Sequence, residues 1–115
     1  MRRHVPHLDA SEKILMGNDA RALVAAVEGI VSNRKLLASN PNSPDRGYYR
    51  ESVTRAEARA SEMAAKLAMY IDKHGADLKK DIDAFVKDSV NQKKPSLPPQ
   101  EWTELESTVK SYWPY

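Results

Sequence analysis

The stretch DRGYYRESVTRAEARASEMAAKLAMYIDKHG, residues 45–75, decides how this chain folds. Within it Tyr49, Val53, Ala56, Ala60, Met63, Leu67 and Tyr70 follow one another in alternating steps of four and three, with Ala64 and Ile71 beside them. That rhythm places them on one stripe of a helix, where a strand would need strict alternation. The stretch predicts a helix over residues 45–74, closed by Gly75, which can take a positive φ at no steric cost. At 1.5 Å per residue it would be about 43 Å long, so one end should project beyond anything the rest of a small chain can pack around it.

Upstream, the turn formers Asn40, Pro41, Asn42, Ser43, Pro44 and Asp45 break the chain sharply. Before them, Ala20, Leu23, Val24, Val27, Ile30, Val31 and Leu37 form a second stripe, predicting a helix from Asn18 or Asp19 to about Ser39. Gly29 in its middle implies either a close neighbour or a weak spot. Residues 11–16 are expected to make at most a short turn ending at Gly17. The domain then spans residues 18–115 behind an extended segment, 1–17.

Downstream, Asp77 should open a third helix reaching about Asn91, with Leu78, Ile82, Phe85, Val86 and Val90 inward. Pro98 or Pro99 should open a fourth, carrying Trp102, Leu105, Val109, Tyr112 and Trp113, with Pro114 ending it. Four amphipathic stripes joined by short connections can bury themselves only against one another. The expected fold is all-α, an antiparallel up-down four-helix bundle with a long second helix.

Composition narrows the chemistry. A length of 115 residues supports one core, and the absence of Cys excludes disulfides, thiolate metal sites and a cysteine nucleophile. Eighteen basic residues face 16 acidic ones, and Arg2 and Arg3 account for the whole excess, which argues against a domain built around phosphate neutralisation. No apolar run exceeds residues 22–27, so neither a membrane span nor a signal peptide is expected, and the compartment stays open. The Gly-rich phosphate loops, the Ser elbow, the HExxH zinc motif and the Glu-x-x-His motif of di-iron bundles are all missing, and no cofactor is expected.

His4 and His7 with Asp9 have a spacing that could hold a metal, but Pro6 lies between them and a structural site closes four ligands. His74 falls in the last turn of the long helix, where a cation suits the negative helix end. The reading of both sites is therefore structural. The segment Lys93-Lys94-Pro95-Ser96-Leu97-Pro98-Pro99 contains P-x-x-P, yet Gln92 and Gln100 stand where a proline-rich ligand wants a cation. A stiff linker fits it better.

Two features point to binding. Tyr48, Arg55, Arg59, Lys66 and Lys73 share nearly one angle on the long helix, with Glu62 among them. Such a row could meet a polyanion, or could flank a core with Glu51–Arg55 and Glu62–Lys66 closing four-spaced ion pairs. Of eight aromatic residues, Trp102, Tyr112, Trp113 and Tyr115 crowd the last 14 positions. Trp113 and Tyr115 straddle Pro114 and should dock, either on their own bundle or on another chain.

The leading expectation is a non-catalytic helical accessory or adaptor protein that binds a larger protein complex. Its partner-binding residues would be Trp113, Tyr115, Tyr112, Tyr48, Arg55, Arg59 and Lys66. The alternative is a small nucleic-acid-associated protein using Arg2, Arg3 and the basic row. A homodimer could form through the heptad seam, although that seam is more economically used inside the monomer. In size and expected layout the chain is similar to the lumenal four-helix extrinsic subunits of photosystem II, which would make it an extrinsic subunit of a large membrane complex. Small phage or bacterial inhibitor proteins share the same profile.

Overall fold

A computed structural model describes residues 9–115, and Arg2, Arg3, His4 and His7 lie outside them. Four helices follow in order: α1 (Ala10–Ser39), α2 (Arg46–His74), α3 (Leu78–Gln92) and α4 (Pro99–Tyr112), with a 3-10 turn at Lys94–Ser96 before α4. No strand occurs among the described residues. The architecture is the expected all-α up-down bundle, and it is elongated, with α1 and α2 twice as long as α3 and α4.

The start of α1 departs from expectation by eight residues. Asp9 caps the helix, its carboxylate accepting a hydrogen bond from the Glu12 backbone N–H at 2.7 Å, and Glu12 provides the acid that favours a first turn. Gly17 is an interior position of α1 and does not end a turn there. Its buried backbone passes beside Phe85 of α3. Residues 10–17 therefore belong to the domain, and Met16 is a core residue.

The other boundaries fall within a residue of those read from the pattern. Gly75 closes α2 with φ 106°, and its N–H bonds the Ile71 carbonyl at 2.7 Å. Pro95 sits in the 3-10 turn and not in an extended left-handed segment. Leu97 and Pro98 are the extended residues, and the Pro98 carbonyl takes the Trp102 N–H at 3.0 Å. The proline segment is the linker that turns the chain into α4.

The core is made where all four stripes meet: Met16, Ala20, Leu23, Val24, Val27, Ile30 and Val31 of α1, Ala60, Met63 and Leu67 of α2, Leu78, Ile82, Val86 and Val90 of α3, and Leu105 and Val109 of α4. It stops halfway along the hairpin. Neither residues 32–39 of α1 nor residues 46–59 of α2 include a buried side chain, and Val53 and Ala56 are only partly covered. The overhang expected of the long helix is its N-terminal half. It is shared with the end of α1, which Arg46 joins to α2 by bonding the Leu37 carbonyl at 3.4 Å.

Candidate interaction surface

The C-terminal aromatics resolve the choice left open above, because they dock on their own bundle. Trp113 is 7% exposed, and its indole N–H donates to Asp83 Oδ1 of α3 at 2.7 Å. Lys79 holds the same carboxylate at 2.9 Å, donates to the Pro114 carbonyl at 3.3 Å and lies 5.9 Å from the Trp113 ring centre. Trp102 repeats the arrangement at the other end of α4. Its indole N–H donates to the Val90 carbonyl at 2.8 Å, and Lys94 covers its face at 4.8 Å. Tyr112 and Tyr115 pack half-buried against the core, and Lys110 lies 5.0 Å over the Tyr115 ring. Burial pushes the Tyr115 hydroxyl above the usual phenol range, the nearby Glu106 adding to it, and that hydroxyl has no hydrogen-bond partner. These residues pin α4 to α3, so a partner could reach Trp113 only by displacing it from Asp83.

The row on α2 is placed differently. Tyr48, Arg55, Arg59, Glu62, Lys66 and Lys73 are all exposed. Lys73 approaches Glu12 of α1 at 3.5 Å, but Arg55, Arg59 and Lys66 have no ion-pair partner among the described residues. The four-spaced pairs Glu51–Arg55 and Glu62–Lys66 are not closed, since the ion pairs that α2 does make run across to α1, through Arg34–Glu57 at 3.3 Å and the Glu12 cluster. The row is therefore not neutralised along its own helix.

Its surroundings are apolar. Five large hydrophobic side chains are exposed among the described residues: Ile14 (61%), Leu15 (54%), Leu36 (39%), Tyr48 (63%) and Met69 (66%). All belong to α1 and α2. At the lower end of the hairpin, Leu15 and Met69 form a groove of about 400 Å³ with Asp19, Lys66, Tyr70 and Lys73. Its floor is fixed by the Tyr70 hydroxyl, which donates to Asp19 Oδ2 at 3.1 Å. Burial raises the Tyr70 hydroxyl above the phenol range, and the bond to Asp19 reinforces the shift. Just below, His74 Nε2 meets Glu12 Oε2 at 2.9 Å and ties the first turn of α1 to the last turn of α2. This contact holds the Glu12 carboxyl below the usual carboxylate range. His74 thus acts as a tether between the two helices.

Charge divides along the same axis. In residues 32–59, the upper hairpin, Arg34, Lys35, Arg46, Arg50, Arg55 and Arg59 face Asp45, Glu51 and Glu57, a net of +3. The remaining described residues carry ten cations against thirteen acids, a net of −3. The near-neutral total conceals this separation, although two of the six upper cations are paired, Arg34 with Glu57 and Lys35 with Glu101 of α4. Sequence reading found the row but missed Leu15, Leu36 and Met69, since a single exposed aliphatic gives no signal until folding sets it beside others. Asp9 serves as a helix cap, and no group of three or more His, Asp or Glu residues placed to hold a metal occurs among the described residues. No protein-family model, curated protein or solved structure matches the chain.

Proposed function

We propose that the chain is a non-catalytic helical accessory protein that docks on a larger protein assembly through the uncovered side of its α1–α2 hairpin. The observation that carries this reading is that, among the described residues, every exposed large hydrophobic residue lies on the hairpin, beside Arg55, Arg59 and Lys66, which have no ion-pair partner there. Exposed apolar groups gathered on one face, rimmed by charge, mark interaction surfaces. The C-terminal aromatics, first expected to form the docking site, support the function indirectly by completing the core and leaving the long helices free.

Affinity capture from the native source tests the reading. Wild-type protein is compared with a hairpin variant, Tyr48→Asp with Met69→Asp, and with an α3 control, Lys80→Glu with Lys87→Glu, after circular dichroism has verified equal helix content. The hairpin variant should lose a partner that wild type and control retain. Retention of the same partners by all three would refute docking through the hairpin.

Nucleic-acid association is the second reading, and the +3 charge of the upper hairpin favours it. Phosphate contacts would make such binding fall steeply with salt, so a gel shift titrated with salt tests it. Salt-insensitive or absent shifts would remove it.

A further inference from the structure

We infer that the partner element is an amphipathic helix with an acidic edge, lying lengthwise along the open side of the α1–α2 hairpin; this rests on the docking reading above. On α1, the exposed or half-exposed residues Leu15, Asn18, Ala22, Ala25, Gly29, Ser32 and Leu36 follow in steps of three and four, and none is charged. On α2, Tyr48, Glu51, Arg55, Arg59, Glu62, Lys66, Met69 and Lys73 keep the same rhythm and are all exposed. Leu15 shares one groove with Lys66, Met69 and Lys73, which puts both lines on the same side of the hairpin. The residues that face α3 and α4, such as Ala20, Leu23, Val27 and Val31, occupy a different arc of α1.

The surface is therefore a channel with two unlike walls. One is uncharged, with Leu15 and Leu36 about 32 Å apart along the axis. The other has a cationic excess, with Arg55, Arg59, Lys66 and Lys73 spaced over five turns against Glu51 and Glu62, and with Tyr48 and Met69 in the same line. Between the walls the helices approach closely at mid-length, a Cβ on Gly29 falling 3.6 Å from that of Ala56, so the channel floor is shallow there. A helix lying in it would set an apolar stripe on the uncharged wall and need acids along the edge facing the cations. Helix-in-groove recognition reads spacings of three and four, and both walls are spaced that way.

Charge complementarity selects this occupant over the others. A nucleic-acid duplex presents phosphates to both walls, but here one wall has no cation in its own line, Arg21 reaching it only through its bond to Asn18, and ends in aliphatic side chains. A second copy of this chain would bring the same four cations and, on this face, Glu51, Glu62 and the already bonded Asp19 as acids, which leaves the cations in excess. Neither neutralises Arg55, Arg59 and Lys66. An acidic-edged helix does so while covering the exposed hydrophobic residues.

The test is fluorescence anisotropy with the full chain and two synthetic helices of about 20 residues. One has leucines at alternating steps of three and four and glutamates along one edge, and its twin carries lysines in place of the glutamates. The acidic peptide should bind the wild type at least about tenfold more tightly than the lysine twin. Arg55→Glu with Arg59→Glu should invert that preference, and Leu36→Asp with Met69→Asp should weaken both peptides. Lys66→Glu, a single exposed change, gives an independent measure in the same direction if the double variant loses helix content. Equal affinity for the two peptides, binding of neither, tighter binding of a DNA duplex, or sedimentation as a dimer that shuts out the acidic peptide would each overturn the inference. The native capture keeps the two levels apart. A partner lost with Tyr48→Asp and Met69→Asp but kept with Arg55→Glu and Arg59→Glu would sink the acidic helix while leaving hairpin docking standing.

Discussion

The two halves of the α1–α2 hairpin are built from the same kind of helix and do different things. In the lower half, residues 10–31 and 60–74, the stripes face α3 and α4, and Leu23, Val27, Ile30 and Leu67 are fully enclosed. In the upper half, residues 32–59, the stripe continues through Leu37, Tyr49, Val53 and Ala56, but none of these is fully buried. The difference lies in chain length. The 15 and 14 residues of α3 and α4 reach about 22 Å, half the span of the hairpin, and only the first turn of α4 meets the upper half, where Glu101 pairs with Lys35 without burying a side chain of α1. A stripe of apolar residues establishes that a helix has an inner face, and the lengths of its neighbours decide how much of that face becomes core.

Substitutions should separate the halves, beginning with the residue that closes the lower one. Trp113→Ala removes a buried ring and leaves Asp83 without its indole donor, and should cost about 3–5 kcal/mol of unfolding free energy in urea titration. A loss below about 1 kcal/mol would mean the C-terminal aromatics do not close the core.

Next comes a matched pair on α2. Leu67→Ala in the lower half should cost about 2–5 kcal/mol, whereas Val53→Ala in the upper half should cost less than about 1 kcal/mol. Similar losses at the two positions would erase the distinction between the halves.

Smaller effects sharpen the picture. Tyr115→Phe removes a buried hydroxyl that has no partner and should raise stability by about 1 kcal/mol. Gly29→Ala, where the halves join, adds a Cβ at ordinary contact distance from Ala56 and should stabilise by about 0.5–1 kcal/mol through helix propensity. A destabilised Gly29→Ala protein in thermal melts would show that the helices are closer there than described.

The smallest effect is pH-dependent and belongs to the lower end. Because the His74 contact lowers the folded-state value of Glu12 below the ordinary 4.5, its stabilisation is present above that value and disappears as pH falls through the lowered one. Glu12→Gln should flatten the acid limb of stability measured between pH 5 and 3, roughly the range in which carboxylates titrate. An unchanged limb would show that Glu12 and His74 do not hold the two helix ends together.

Much of this was legible beforehand. The stripes of α2, α3 and α4 and their ends at Gly75 and Pro114 could be read because periodicity and the conformational limits of Gly and Pro act locally. The start of α1 was equally local, written in Asp9 and Glu12, but the run Gly17-Asn18-Asp19 resembles a break and hid it. The helix continues through Gly17, whose backbone lies beside Phe85 of α3. The surface was half legible. The angle shared by Arg55, Arg59 and Lys66 follows from their spacing alone, whereas the burial of Trp113 and the exposure of Leu36 and Met69 depend on where α3 and α4 stop.

Hydrogen exchange read by mass spectrometry tests most directly that the core occupies only the lower half of the hairpin. Opening free energy tracks local burial, so amides of residues 60–70 and 20–31 should exchange at least about a hundredfold more slowly than those of residues 47–57. Equal protection along the whole of α2 would contradict the account.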